Sequence, residues 1–312
     1  MDRRERMLRL AAGTAEPGYV PAAFFLHFDG DHHRGRPAID RHLEYFRATG
    51  MDFVKVQYEH PWPKLAGVRG PADWASIDVP RADHFNEPLE VISGIVNAAK
   101  RDALVVVTLY SAFMHAGHAT SGELLTEHLR KDPAATAKGL MKIAESVRLF
   151  ARECVKRGVD GFYMSTQGGE AGRFSDPSTF SRYITPSDLL VMDEVQRMCA
   201  FNILHVCDYH GEYDDLTPYR GYPGHILNCG TRLRPGTTTP TQIASLFGRP
   251  FMGGMDRHGV LVTGTKEQIR SEVRAVCAAA PPVFVLGADC TVPSDIPWDN
   301  LTAAIDEAHG RG

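Results

Sequence analysis

Hydrophobic residues along the chain fall into short runs of strand length, each followed by a longer stretch in which apolar positions recur at helical spacing. Eight runs stand out: YVPAAFFLHF (19–28), MDFVKVQYE (51–59), ALVVVTLYS (103–111), VDGFYMSTQ (159–167), FNILHVCD (201–208), GHILNCG (224–230), RPFMGGMD from Arg249, and PPVFVLGADC (281–290). The seventh is the least strand-like. Between and after them lie AIDRHLEYFRATG, NEPLEVISGIVNAAKR, AATAKGLMKIAESVRLFARECVKRG, TKEQIRSEVRAVCAAA and WDNLTAAIDEAH. Acids near their starts and basic residues or Gly at several ends fit helix polarity and capping. Eight strand–helix units in 312 residues predict one (β/α)8 TIM barrel over residues 1–312, a fold that takes roughly 250 residues plus insertions. A doubly wound sheet with a second domain is the competing arrangement, but no Pro/Gly/Ser-rich linker or shift in composition divides the chain. In a barrel the chemistry gathers where strands end, and that rule decides which polar residues carry weight.

A hydrophobic content of 43% supplies a core, and a net charge of −4, from 38 acidic against 34 basic residues, gives no basic field for nucleic acid. The longest apolar runs are strand-sized, which argues against membrane spans. MDRRERMLRL lacks the apolar stretch of a secretory signal, so a cytoplasmic enzyme is expected. Six cysteines then read as packed thiols, ligands or nucleophiles rather than disulfides. Cys154, Cys199 and Cys277 sit in helical patterns among Ala, Val and Met, where a thiol packs as a small hydrophobe. Cys207, Cys229 and Cys290 instead end the fifth, sixth and eighth runs.

The stretch LHVCDYHGEYDDL concentrates the remaining chemistry. His205 and Cys207 are two apart in a strand, so both side chains point into the barrel mouth, where Cys229 and Cys290 would also project. One imidazole with two or three thiolates is a zinc ligand set, and a packed His with inert thiols is the competing reading. Asp208 and His210 are candidates for orienting His205 or for acid–base work, as is Glu59 at the end of the second run. The acids after Gly211 read as the solvated start of the next helix. HFDGDHHRGR offers His27 and Asp29 as pocket residues, and Tyr110 and Gln167 end the third and fourth runs as further substrate-binding candidates. QGGEAG matches neither GxGxxG nor the P-loop.

GVDGFYMSTQGG, NILHVCD, PFMGGMDRHGVLVTGTKEQIRSEV and VFVLGADCTVPSDIPWDNLTAAIDEA together resemble the C-terminal half of the uroporphyrinogen decarboxylase superfamily, over residues 158–309. The resemblance implies a (β/α)8 barrel with its site at the strand C-termini. The Phe-Ala-Arg-Gly turn with which uroporphyrinogen decarboxylase holds substrate carboxylates has no counterpart here. The site residues look closest to the zinc-dependent methylcobamide:coenzyme M methyltransferases, whose HxC and distant Cys are similar to His205, Cys207 and Cys290. In the more distant cobalamin-independent methionine synthase barrel a Glu ligand falls where Cys229 stands. The resemblance thus implies Zn2+ on His205, Cys207 and Cys290, with Cys229 as a candidate fourth ligand. It also implies a methylated corrinoid as donor, a small-molecule thiol as acceptor and a corrinoid protein as partner. The alternatives are a decarboxylase, a zinc thiol transferase acting on an epoxide or methylfolate, and a regulatory barrel without turnover.

Overall fold

The computed structural model describes residues 1–57, 60, 62–234 and 236–311. Seven parallel strands form one curled sheet in chain order: β1 (Phe53–Val56), β2 (Leu104–Tyr110), β3 (Gly161–Thr166), β4 (Ile203–Val206), β5 (Ile226–Cys229), β6 (Phe251–Met255) and β7 (Phe284–Ala288). They coincide with the second to eighth runs, including FMGGM, where Gly253 and Gly254 take positive φ within the strand. Every strand is buried almost throughout, as expected for parallel strands covered on both faces. Strand order equals chain order because each crossover moves the chain one place around the sheet.

The first run differs from expectation. Residues 19–28 contribute a single bridge, Ala22 to Leu286, in place of a strand. Pro21 has no N–H to donate, and the Ala22 N–H is taken by the Asp52 carboxylate at 2.8 Å. The segment still bonds to both edges of the sheet: Asp52 N donates to Ala22 O at 3.0 Å, Ala23 N to Leu286 O at 3.0 Å, and Leu286 N to Pro21 O at 2.8 Å. Phe24, Phe53 and Phe201 are fully buried at this end of the sheet.

Helices cover the outer face wherever the sequence carried helical spacing, among them Gly35–Thr49, Asn86–Ala99, Pro133–Lys156, Lys266–Ala279 and Trp298–Ala308. Thr265 caps one of them through a box closed by Gln268. The link from β4 to β5 is the exception. It holds only the 3-10 turn Thr217–Tyr219, because LTPYRGYPG places two Pro and two Gly where a helix would need N–H donors and stiff backbone. Asp214 and Asp215 therefore do not open a helix. Asp214 pairs with Arg234 at 2.7 Å, and Asp215 caps the turn through the Thr217 N–H at 2.9 Å. Among the described residues no helix is long and apolar enough to cross a membrane.

Candidate metal centre

Period-2 alternation puts His205 and Cys207 on the inner face of the sheet, and the register confirms which neighbours share it. His205 lies opposite Ser165 on β3 and Asn228 on β5. Asn228, fully buried, donates to Met252 O at 2.9 Å and Ala288 O at 3.0 Å, tying β5 to the next two strands, and it accepts from the Tyr163 hydroxyl. The Tyr163 ring stacks on His205 at 4.9 Å with 28° between planes, so packing fixes the imidazole orientation. His205 Nδ1 has no hydrogen-bond partner among the described residues.

Cys290, two residues beyond β7, completes a group. Its Sγ is 3.5 Å from His205 Nε2 and 3.9 Å from Cys207 Sγ, and the three ligand atoms all lie within 4.8 Å of one another. A tetrahedral zinc with Zn–S near 2.3 Å and Zn–N near 2.05 Å requires S···S of about 3.8 Å and S···N of about 3.6 Å. The donor set and its spacing therefore fit zinc with one position left open. Gln167 Nε2 donates to Cys207 Sγ at 3.2 Å, and Tyr213 OH donates to Cys207 O at 2.7 Å. The hydrogen bond from Cys207, with His205 and Arg257 close by, pulls the Cys290 thiol below its ordinary range. Donating that bond, together with burial, pushes the Cys207 thiol up.

A cavity of about 700 Å³ opens over these three residues. Of the residues expected from sequence, His27, Tyr110, Gln167 and His210 line it, with His210 exposed at the rim. Asp29 does not reach it. Its carboxylate binds His32 Nδ1 at 2.7 Å in an exposed turn. Glu59 lies outside the described residues. Asp208 does not orient His205 either: Arg257 Nη1 takes its Oδ1 at 2.7 Å and Asp289 Oδ2 at 2.9 Å. Cys229 stands apart from the group. The register sets it opposite Val206, one place out of phase with His205, and it is buried in the hydrophobic core. Burial pushes its thiol far up.

Sequence reasoning did not reach Lys55, His115, His118 and Trp62, which also line the cavity. Lys55 Nζ donates to Gln57 Oε1 at 2.6 Å and Thr108 Oγ1 at 3.1 Å and lies 4.7 Å from the Tyr163 ring centre. A lysine inside the apolar strand FVKV was the available signal, since an ammonium is rarely buried without a task. Burial lowers His115 to about 3, so that wall of the cavity carries a neutral imidazole at neutral pH.

The profile described as "Uroporphyrinogen decarboxylase (URO-D)" matches residues 44–311. No curated protein matches. Among solved structures, a methyltransferase from Methanosarcina mazei superposes with a TM-score of 0.74 at 16% identity, covering 99% of this chain and 98% of that one. A B12-independent methionine synthase from Shewanella sp. W3-18-1, in complex with selenomethionine, gives 0.52 at 12% identity over 96% of each chain. A putative vitamin-B12 independent methionine synthase from Listeria monocytogenes gives 0.53 at 12% identity, covering 87% of this chain and 85% of that one. At such identities the likeness carries the fold.

Proposed function

The chain belongs to the uroporphyrinogen decarboxylase family, and from that membership we propose that it is a zinc-dependent methyltransferase that moves a methyl group from a methylated corrinoid to a small-molecule thiol. The observation that carries the reading is the spacing of His205, Cys207 and Cys290, which matches tetrahedral zinc with an open position. Bound zinc would supply the Lewis acidity that deprotonates an exogenous thiol near neutral pH. The chain's own contribution is placement. Tyr163 holds the imidazole ring, Gln167 steadies the Cys207 sulfur, and the cavity walls orient the acceptor. In the transfer the acceptor sulfur bonds to the methyl carbon as the donor's bond to that carbon breaks, and the thiol proton passes to solvent.

The fold is read as a (β/α)8 barrel in a single domain, with residues 21–23 closing the ring between β7 and β1. A corrinoid protein at the cavity mouth and a cytoplasmic setting complete the proposal. A decarboxylase would need cations free to receive carboxylates. The lysines and arginine among the described lining residues are already engaged: Arg257 Nη1 serves two aspartates, Lys55 Nζ donates to Gln57 Oε1 and Thr108 Oγ1, and Lys64 Nζ donates to His118 O. An epoxide or methylfolate electrophile remains the nearest alternative within the same zinc chemistry.

The test is zinc analysis together with methyl transfer from methylcobalamin to a panel of thiols. Wild type should carry close to one equivalent of zinc, and Cys207→Ser and Cys290→Ser should lose metal and transfer together. Full transfer in both variants, or wild type purified gently with less than about half an equivalent, sinks the reading.

A further inference from the structure

We propose that Arg257 is a positioning residue that sets the separation of Cys207 and Cys290 by clamping the acidic neighbour of each cysteine. Cys207 is followed by Asp208 at the end of β4, and Cys290 is preceded by Asp289 after β7. Two strands, β5 and β6, lie between them, so no ladder of backbone hydrogen bonds joins the two cysteines directly. Arg257, just past β6, spans the gap. Its Nη1 donates to Asp208 Oδ1 at 2.7 Å and to Asp289 Oδ2 at 2.9 Å. Its backbone N–H holds Asp289 Oδ1 at 2.8 Å, and Asp289 N donates to Met255 O at 3.0 Å. One cation thus fixes both aspartates, and each aspartate is covalently next to a sulfur ligand.

The space for this clamp is kept open by Gly230, the residue after β5. A Cβ there would stand 2.7 Å from Asp208 Oδ2 and 4.0 Å from Asp289 Cβ. An alanine Cβ at 230 would press on the Asp208 carboxylate, and neither Cys207, Cys290 nor the guanidinium is among its three nearest neighbours. The guanidinium also offsets the negative charge that two carboxylates and two thiolates would otherwise gather in one partly dry place. Nothing in the pattern around Arg257 suggests this, because the three members are 49, 32 and 81 positions apart and meet only in the fold.

The inference rests on the zinc reading for one of its measurements and on thiol geometry alone for the other. Arg257→Ala, Arg257→Lys and Gly230→Ala are made in the full chain. Zinc affinity is measured by competition with a chelator. The metal-free, reduced protein is titrated with phenylarsine oxide, which condenses with two neighbouring thiols and releases water, with Cys290→Ser as the variant in which capture is lost. Loss of partners that orient metal ligands typically costs roughly 10- to 100-fold in metal affinity. Arg257→Ala should weaken zinc by that factor and weaken arsenical capture with it. Arg257→Lys, which keeps one cation without the fork, should fall between, and Gly230→Ala should follow Arg257→Ala although no charge is removed. If Arg257→Ala does not fold, Gly230→Ala carries the test. Wild-type arsenical capture and zinc affinity in these variants overturn the clamp. Wild type that captures the arsenical and binds no zinc, with capture lost in Arg257→Ala, supports the clamp and removes the zinc reading instead.

Discussion

If zinc binds as proposed, replacing Cys290 by Ala deletes one sulfur from the His205, Cys207 and Cys290 group and leaves the other two side chains in place, and the loss should be legible in thermal unfolding. Cys290 Sγ stands 3.5 Å from His205 Nε2 and 3.9 Å from Cys207 Sγ, so no other described side chain can replace it without moving. A metal that binds only the folded chain stabilises it by RT ln(1 + [Zn]/Kd), about 4.1 kcal/mol at a thousandfold excess over Kd. An unfolding entropy near 2.1 cal/mol/K per residue gives roughly 0.65 kcal/mol/K for 312 residues. Zinc should therefore raise the wild-type Tm by about 6 °C at that excess. If two ligands hold zinc so weakly that Kd merely equals the free zinc concentration, the gain falls to about 0.4 kcal/mol, below 1 °C. The assay is scanning calorimetry of wild type and Cys290→Ala at chelator-buffered zinc, each against its own metal-free scan. The difference between each pair cancels the small packing cost of the substitution. Equal zinc shifts in the two proteins would refute the ligand assignment, as would a wild type indifferent to zinc.

Other consequences follow from single positions. Cys229→Ala should keep full zinc stoichiometry by metal analysis and lose only about 1 kcal/mol in urea unfolding, because Cys229 faces away from the group and packs as a small hydrophobe. Asp188 is fully buried against the hydroxyls of Thr166 and Tyr222, and burial lifts its carboxyl to about 7. Its folded pKa is above the unfolded value of about 3.9, so its contribution to stability is full below that pH and is lost as pH rises through 7. Denaturant unfolding from pH 4 to 8 should show wild type losing up to about 4 kcal/mol relative to Asp188→Asn, and parallel profiles would remove the cause. Gly161→Ala would place a Cβ 1.6 Å from the Phe201 carbonyl oxygen at the start of β3. A loss of at least about 3 kcal/mol in the urea midpoint, or failure to accumulate folded protein, is expected.

What could be read from the sequence, and what could not, follows from the range of the interactions involved. His205 and Cys207 were legible because alternation is a local property: two positions apart in one strand fixes a common face whatever the rest of the chain does. Cys229 misled for the complementary reason. The run ILNC is buried on both faces, its one polar residue Asn228 included, so no exposed position reveals its phase, and a shift of one residue turns an inward-facing cysteine into a core thiol. The first run failed at another kind of boundary, where a carboxylate 30 residues away, Asp52, claimed the N–H that a strand would have used. Asp208 was assigned to the nearest imidazole in the chain when its partner, Arg257, comes from the end of a different strand. In the last two of these misses a polar group was settled by a residue distant in sequence, while the apolar pattern that builds the sheet is written locally. A parallel α/β chain therefore announces its scaffold and the inward-facing pair His205 and Cys207. Cys290 and the proposed clamp join them only when strands ordered by their crossovers bring β4, β6 and β7 to one mouth, which is why Gly230, invisible as a functional position in the sequence, is the sharpest place to test the arrangement.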